Sequence, residues 1–253
     1  MRWLFEKWRH YRASKLKWQE HEPWFQAVLY RVPGLGRLAA AEKATLRQLV
    51  KEFLVDKRIY GAGGLEIDLG LKIKIATLAC WPALHLGFGA LEGFSSVVVY
   101  PEGFRAMRTQ TDAHTGLVTE YEQEMAGETS QHGPVVLSKD DIERGLAGIG
   151  RVGNVVIHEI AHKIDALGGA INGVPPLHPN MSIATFSASL SEAFAALKRD
   201  IADGTAQIDS YAAHSPPEFF AVASEYYFLA PEHLNAIYPG VYSQLDAFYR
   251  PNT

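Results

Sequence analysis

The run His158-Glu159-Ile160-Ala161-His162 has residue types and a spacing that suit metal-assisted hydrolysis. Residues four apart on a helix lie one turn above each other, so both imidazoles can reach one metal ion at ~2.0–2.1 Å. Glu159 is rotated by one residue from His158, close enough to act on a metal-bound water without being a ligand. On zinc the pKa of such a water falls from ~15.7 toward ~7, and a carboxylate base can take its proton as it attacks a carbonyl.

The surrounding sequence predicts the helix that must carry these residues. Asn154 can cap its start, and Gly168-Gly169 can end it. Val155, Val156, Ile157, Ile160, Ala161 and Ile164 make it apolar on most sides, so it should be buried. Two histidines and an acid in a buried helix need partners, and a metal satisfies them together.

A catalytic zinc site usually has three protein ligands and an open position. The third ligand must come from outside this helix, and the candidates are His178, Glu192, Asp200, His214, Glu218, Glu225 and His233. Glu192 and Asp200 read as charges on an amphipathic helix over 187–201. His178 and His233 sit beside prolines in expected loops, and Lys163 reads as solvated. Glu218 and Glu225 stand two turns apart in the otherwise apolar helix Pro216–Leu229, where a carboxylate pair needs a cation or a hydrogen-bonded partner. Glu218 is therefore taken as the ligand. Glu225 is taken as a partner holding a histidine by its other ring nitrogen, with a salt bridge at a helix edge as the alternative. Asp165, on the same stripe as the histidines, either orients a ligand or pairs with a lysine near the helix end.

The chain has 253 residues, 47% hydrophobic and 21% charged, values of a globular protein with a core. A net charge of −4 leaves no global basic field for direct nucleic-acid binding. A single cysteine, Cys80, excludes a disulfide framework and a multi-thiolate zinc site. No apolar run is long enough for a membrane span, and the start lacks a signal-peptide core, so the expected location is the cytoplasm.

Strands are expected over 96–100, 117–121 and 134–138, with Ser138 capping a helix through Ile142 and Leu146. Lys72 to Cys80 fits a buried helix or a strand. Gly61-Ala62-Gly63-Gly64 lacks the Lys-Ser/Thr of a phosphate loop and reads as a turn. Helices outnumber strands, an α+β pattern with a small mixed sheet. Residues 1–35 read as a basic, aromatic arm ahead of a single catalytic domain over 36–253. The arm's aromatics are expected to pack on the body; a membrane surface or an acidic partner is the alternative.

Three tracts together resemble the Mlc titration factor A (MtfA) family of glucose-regulated zinc metallopeptidases, related to the anthrax lethal factor catalytic domain. They are His158 to Asp165, Gly133-Pro134-Val135-Val136-Leu137-Ser138, and Tyr211-Ala212-Ala213-His214-Ser215-Pro216-Pro217-Glu218-Phe219-Phe220-Ala221. The likeness runs from about Phe53 to Tyr249. It implies a zincin-like fold, one Zn2+ per chain on His158, His162 and Glu218, Glu159 as general base, and aminopeptidase-type activity on peptides. It alone implies that Tyr211 points its hydroxyl at the oxyanion. It also implies binding of a transcriptional repressor of the Mlc type, for which no motif stands out. The alternative function is repressor binding with little or no peptidase activity.

Along this reading, a peptide substrate adds to the edge of the strand at Val135 to Ser138. Glu122, Glu124 and Glu128 are candidates to hold a free amine, or else form a solvated acidic loop. The glycines 145, 148, 150 and 153 lead into the metal helix.

Overall fold

The computed structural model describes residues 2–102, 104–111, 118–125, 133–147 and 152–251, with 104–111 and 118–125 as backbone. In chain order the elements are α1 (Arg2–Ser14), α2 (Glu22–Arg31), α3 (Pro33–Gly36), α4 (Ala40–Asp56), β1 (Arg58–Gly61), α5 (Leu69–Cys80), β2 (Ser96–Tyr100), β3 (Phe104–Thr111), β4 (Val118–Met125), β5 (Val135–Ser138), α6 (Lys139–Ala147), α7 (Val155–Ala166), α8 (Ile183–Ala202), α9 (Pro216–Leu229), α10 (Pro231–Ile237) and α11 (Pro239–Tyr249). The fold is mostly helical, of the α+β class.

The sheet differs from the mixed one expected. β1, β2 and β5 form a three-stranded parallel sheet in that order, with Val97 opposite Val135 and Val99 opposite Leu137. The antiparallel pairing is confined to the separate hairpin β3–β4, which runs from Phe104↔Met125 to Thr111↔Val118. The reason is connection length: α5 lies between β1 and β2, and the hairpin lies between β2 and β5, so each return is long enough for a parallel crossover.

The ambiguous stretch before Cys80 is a helix. Asp68 caps it by accepting from the Leu71 amide at 2.7 Å, and nine of its residues are buried. The glycine run after β1 is a turn, with Gly63 and Gly64 at φ +59° and +79°. Ser138 caps α6 as read, accepting from the Asp141 amide at 3.1 Å. Of the strand expected over 117–121, residue 117 lies outside the described residues, and β4 begins at Val118. Residues 148 and 150 also lie outside them.

One apolar core runs from Phe25 in α2 to Tyr249 in α11 and includes the inner face of the sheet. α7 sits at its centre, packed on β5, α5 and α9.

The aromatics of the first helix do not pack on the body. Trp3, Phe5, Trp8 and Tyr11 remain 60%, 64%, 55% and 61% exposed. α1 is held on α4 by its other face instead, through buried Arg9 and Ala13. Trp18, beyond the helix, turns inward, edge-on to the buried Phe25 at 5.6 Å. Among the described residues no helix is long and apolar enough to cross a membrane.

Candidate metal centre

α7 starts where Asn154 Oδ1 accepts from the Val156 and Ile157 amides at 3.1 and 3.2 Å. That cap fixes the rotation of the helix, and with it the direction of His158 and His162. Their rings lie 4.8 Å apart, and their Nε2 atoms face each other at 3.1 Å. α9 starts at Ser215, whose Oγ accepts from the Glu218 amide at 3.4 Å, and prolines fill its first turn. Glu218 Oε2 then lies 3.0 Å from His158 Nε2 and 3.3 Å from His162 Nε2. Three ligand atoms from two helices meet around one point.

Glu225, two turns further along α9, stands behind the first histidine. Its Oε1 lies 2.8 Å from His158 Nδ1, and its Oε2 accepts from the Asn154 amide. A carboxylate only accepts, so Nδ1 carries a hydrogen; with a cation in place of the proton at Nε2, the ring is neutral and offers its Nε2 lone pair. Two ring nitrogens and a carboxylate oxygen crowded at about 3 Å repel one another unless a proton or a cation lies between them. This donor set fits a divalent cation.

His162 Nδ1 and Asp165 Oδ1 are buried without hydrogen-bond partners, and the two groups lie within electrostatic reach. Burial raises the Asp165 pKa, and the Gly173 amide, His162 and the Asn172 and Val174 amides oppose the rise. The Gly173 amide donates to Asp165 Oδ2 at 2.7 Å.

The electrostatics follow from the same contacts. Burial pushes His158 down, but its hydrogen bonds to Glu218 and Glu225 and the charges of Glu225 and Glu159 outweigh it, holding the ring well above its usual pKa. Burial pushes Glu218 up, and the two histidines outweigh that and hold it well below the carboxylate range.

Glu159 is 3% exposed, and its charge is felt by His158 and Lys163. Tyr211 stands at the mouth of the site, 38% exposed, with its ring 6.0 Å from that of His158 and 4.9 Å from that of His214. Two of the other ligand candidates are engaged elsewhere: His178 Nε2 meets the Phe248 carbonyl at 2.8 Å, and His233 Nε2 the Gln207 carbonyl at 3.0 Å. Glu122 and Glu124 fall on β4, and residue 128 lies outside the described residues.

Lys163 is not solvated. It is fully buried, and its Nζ donates to the Gly133 carbonyl at 2.7 Å, tying α7 to the segment that leads into β5. Burial lowers its pKa to about 8 against the opposing charge of Glu159. Gly173 also has a structural role that its sequence context does not spell out. Its φ is +81°, and a Cβ there would meet the Pro216 carbonyl oxygen at 2.7 Å. The turn pair Asn172-Gly173 was the available signal.

A sequence profile of the glucose-regulated metallo-peptidases M90 matches residues 5–250. The chain belongs to this family. The match takes in most of α1 and begins well upstream of Phe53. Mlc titration factor A of Klebsiella pneumoniae (strain 342) is 36% identical over 231 residues, 90% of this chain and 85% of that protein. Mlc titration factor A of Salmonella gallinarum is 34% identical over 243 residues, 95% and 90% of the two chains. The metal that an M90 metallo-peptidase implies has a fitting donor set in His158, His162 and Glu218.

Proposed function

We propose that the chain is a zinc-dependent peptidase of zincin-like fold that acts in the cytoplasm. In this reading His158, His162 and Glu218 hold the ion, Glu159 is the general base and Tyr211 stabilises the oxyanion. The observation that carries the reading is the meeting of two Nε2 atoms and a carboxylate oxygen at 3.0–3.3 Å, with Glu225 fixing the tautomer of one ring. A bound zinc ion supplies Lewis acidity to the scissile carbonyl and makes water acidic enough to attack at neutral pH.

The chain's own residues do the rest. Glu159 takes the proton from the attacking water and delivers it to the leaving amine nitrogen. The Tyr211 hydroxyl donates to the carbonyl oxygen as it gains charge. Glu225 orients His158 through a hydrogen bond, and Asp165 acts on His162 through its charge. The substrate backbone adds to β5, whose other edge pairs with no strand among the described residues. Lys163 steadies the approach to that strand through the Gly133 carbonyl.

Aminopeptidase action adds a carboxylate for the free amine, with Glu122 and Glu124 on β4 and Glu128 as candidates. The test is hydrolysis of one short peptide with a free and with an acetylated N-terminus, before and after chelation. Chelator-sensitive cleavage of the free form alone is expected. Equal cleavage of both makes the enzyme an endopeptidase, and chelator-resistant cleavage overturns the metal mechanism.

The name of the relatives favours a second reading, binding of an Mlc-type repressor. Repressor retention by Glu159→Gln protein separates it from catalysis, since that variant keeps its surface.

A further inference from the structure

We propose that the outward face of α1 docks the protein on an anionic lipid surface. The proposal does not rest on the peptidase reading. Leu4, Trp8 and Tyr11 lie at i, i+4 and i+7, one above another along the helix. All three are more than half exposed, at 60%, 55% and 61%, and Trp3 and Phe5 flank them at 60% and 64%. A solvent-facing row of this size is uncommon on a protein surface without a partner.

The helix is anchored, so the exposure is not that of a loose end. Its inner face carries Arg9, 8% exposed, whose guanidinium stacks on Phe88 at 3.8 Å and pairs with Glu52 at 3.4 Å and Glu92 at 3.7 Å. Ala13, one turn on, is 1% exposed.

Charge identifies the partner. Residues 2–17 hold six Lys or Arg and one Glu in a chain of net charge −4. Lys7, Arg12, Lys15 and Lys17 are exposed. Three of them ride on the exposed rings: Lys7 over Trp3 at 3.9 Å, Arg12 over Trp8 at 4.6 Å, and Lys15 over Tyr11 at 5.3 Å. Cation and ring thus enter a headgroup layer together, the ring at the acyl boundary and the charge among phosphates. A second copy of the chain would bring one basic face against another and be repelled.

The test uses the full chain with sedimented vesicles of phosphatidylglycerol and phosphatidylethanolamine, and with phosphatidylcholine vesicles as the neutral control. Binding to the anionic vesicles is expected, weakened by salt and much weaker on the neutral ones. Each cation at such a surface is worth about fivefold in partitioning, so Lys7→Glu/Arg12→Glu/Lys15→Glu should lose about a hundredfold or more. Leu4→Ser/Trp8→Ser should lose at least about tenfold even at low salt. Both variants change exposed side chains and should keep the wild-type melting temperature.

Wild-type protein left in the supernatant with anionic vesicles overturns the proposal, as does binding that neither variant weakens. Self-association removed by Leu4→Ser/Trp8→Ser, without vesicle binding, assigns the face to a second copy. Retention of the wild type by a soluble acidic protein, without vesicle binding, assigns it to a protein partner. Either result overturns the lipid assignment.

Discussion

In the proposed mechanism three side chains supply the cation's ligands and a fourth the proton chemistry, and the two jobs separate by mutation. Glu159→Gln leaves the three ligand atoms in place, so zinc should stay bound while turnover falls by about 10²–10⁴-fold, measured as metal content beside initial rate. Glu225→Gln keeps the size of the side chain but weakens the acceptor behind His158 Nδ1. Metal affinity should fall by about 10–100-fold, read by competition with a chromogenic chelator. An affinity unchanged in that variant would reduce Glu225 to a helix-edge contact. The carboxylate pair of α9 was legible because charge in a nearly all-apolar helix has to be compensated. Lys163 was not: its partner is a backbone carbonyl 30 residues away, and nothing local announces such a contact.

At the scale of elements, the site exists because two helices start at controlled positions and a loop braces them. Asn154 caps α7 and is gripped in turn by Glu225 from α9. On the far side, Asp165 holds the Gly173 amide, and Gly173 lies against Pro216, two residues before Glu218. Gly173→Ala would force a left-handed backbone at about 1–2 kcal/mol and push on the first turn of α9. Lower melting temperature together with weaker metal binding is expected; a stability loss with full metal affinity would unlink the brace from the site. The Asn154 cap and both helices were readable from period and punctuation; the Ser215 cap of α9 was not read. The loop brace was not, since Asn172-Gly173 signals a turn but not what the turn leans on. The exposed row on α1 was also hidden, because amphipathic spacing defines two faces without saying which one the body covers.

For the whole molecule, an ion on His158, His162 and Glu218 would join α7 to α9 and so link metal to stability. At a thousandfold excess of ion over its dissociation constant the gain is about 4 kcal/mol. At about 2–4 °C per kcal/mol for a chain of this size, chelation should lower the melting temperature by on the order of 10 °C. The pH dependence has a definite sign. The His158 pKa in the metal-free fold lies above its unfolded value, so that stabilisation is complete below about 6.5 and fades as pH rises through the raised value. The depressed Glu218 pKa works oppositely: its contribution is present above about 4.3 and is lost as pH falls through the lowered value. The ion competes with the proton on His158, so the gap in melting temperature between loaded and chelated protein should widen from pH 6.5 upward. A constant gap would separate that proton from the ion. The central claim, one cation held by His158, His162 and Glu218, is tested most directly by native mass spectrometry of the intact chain after equilibration with zinc. The expected result is one zinc per chain in the wild type and in Glu159→Gln, and none retained in His162→Ala or Glu218→Ala. A full equivalent of zinc in either of those two would contradict it.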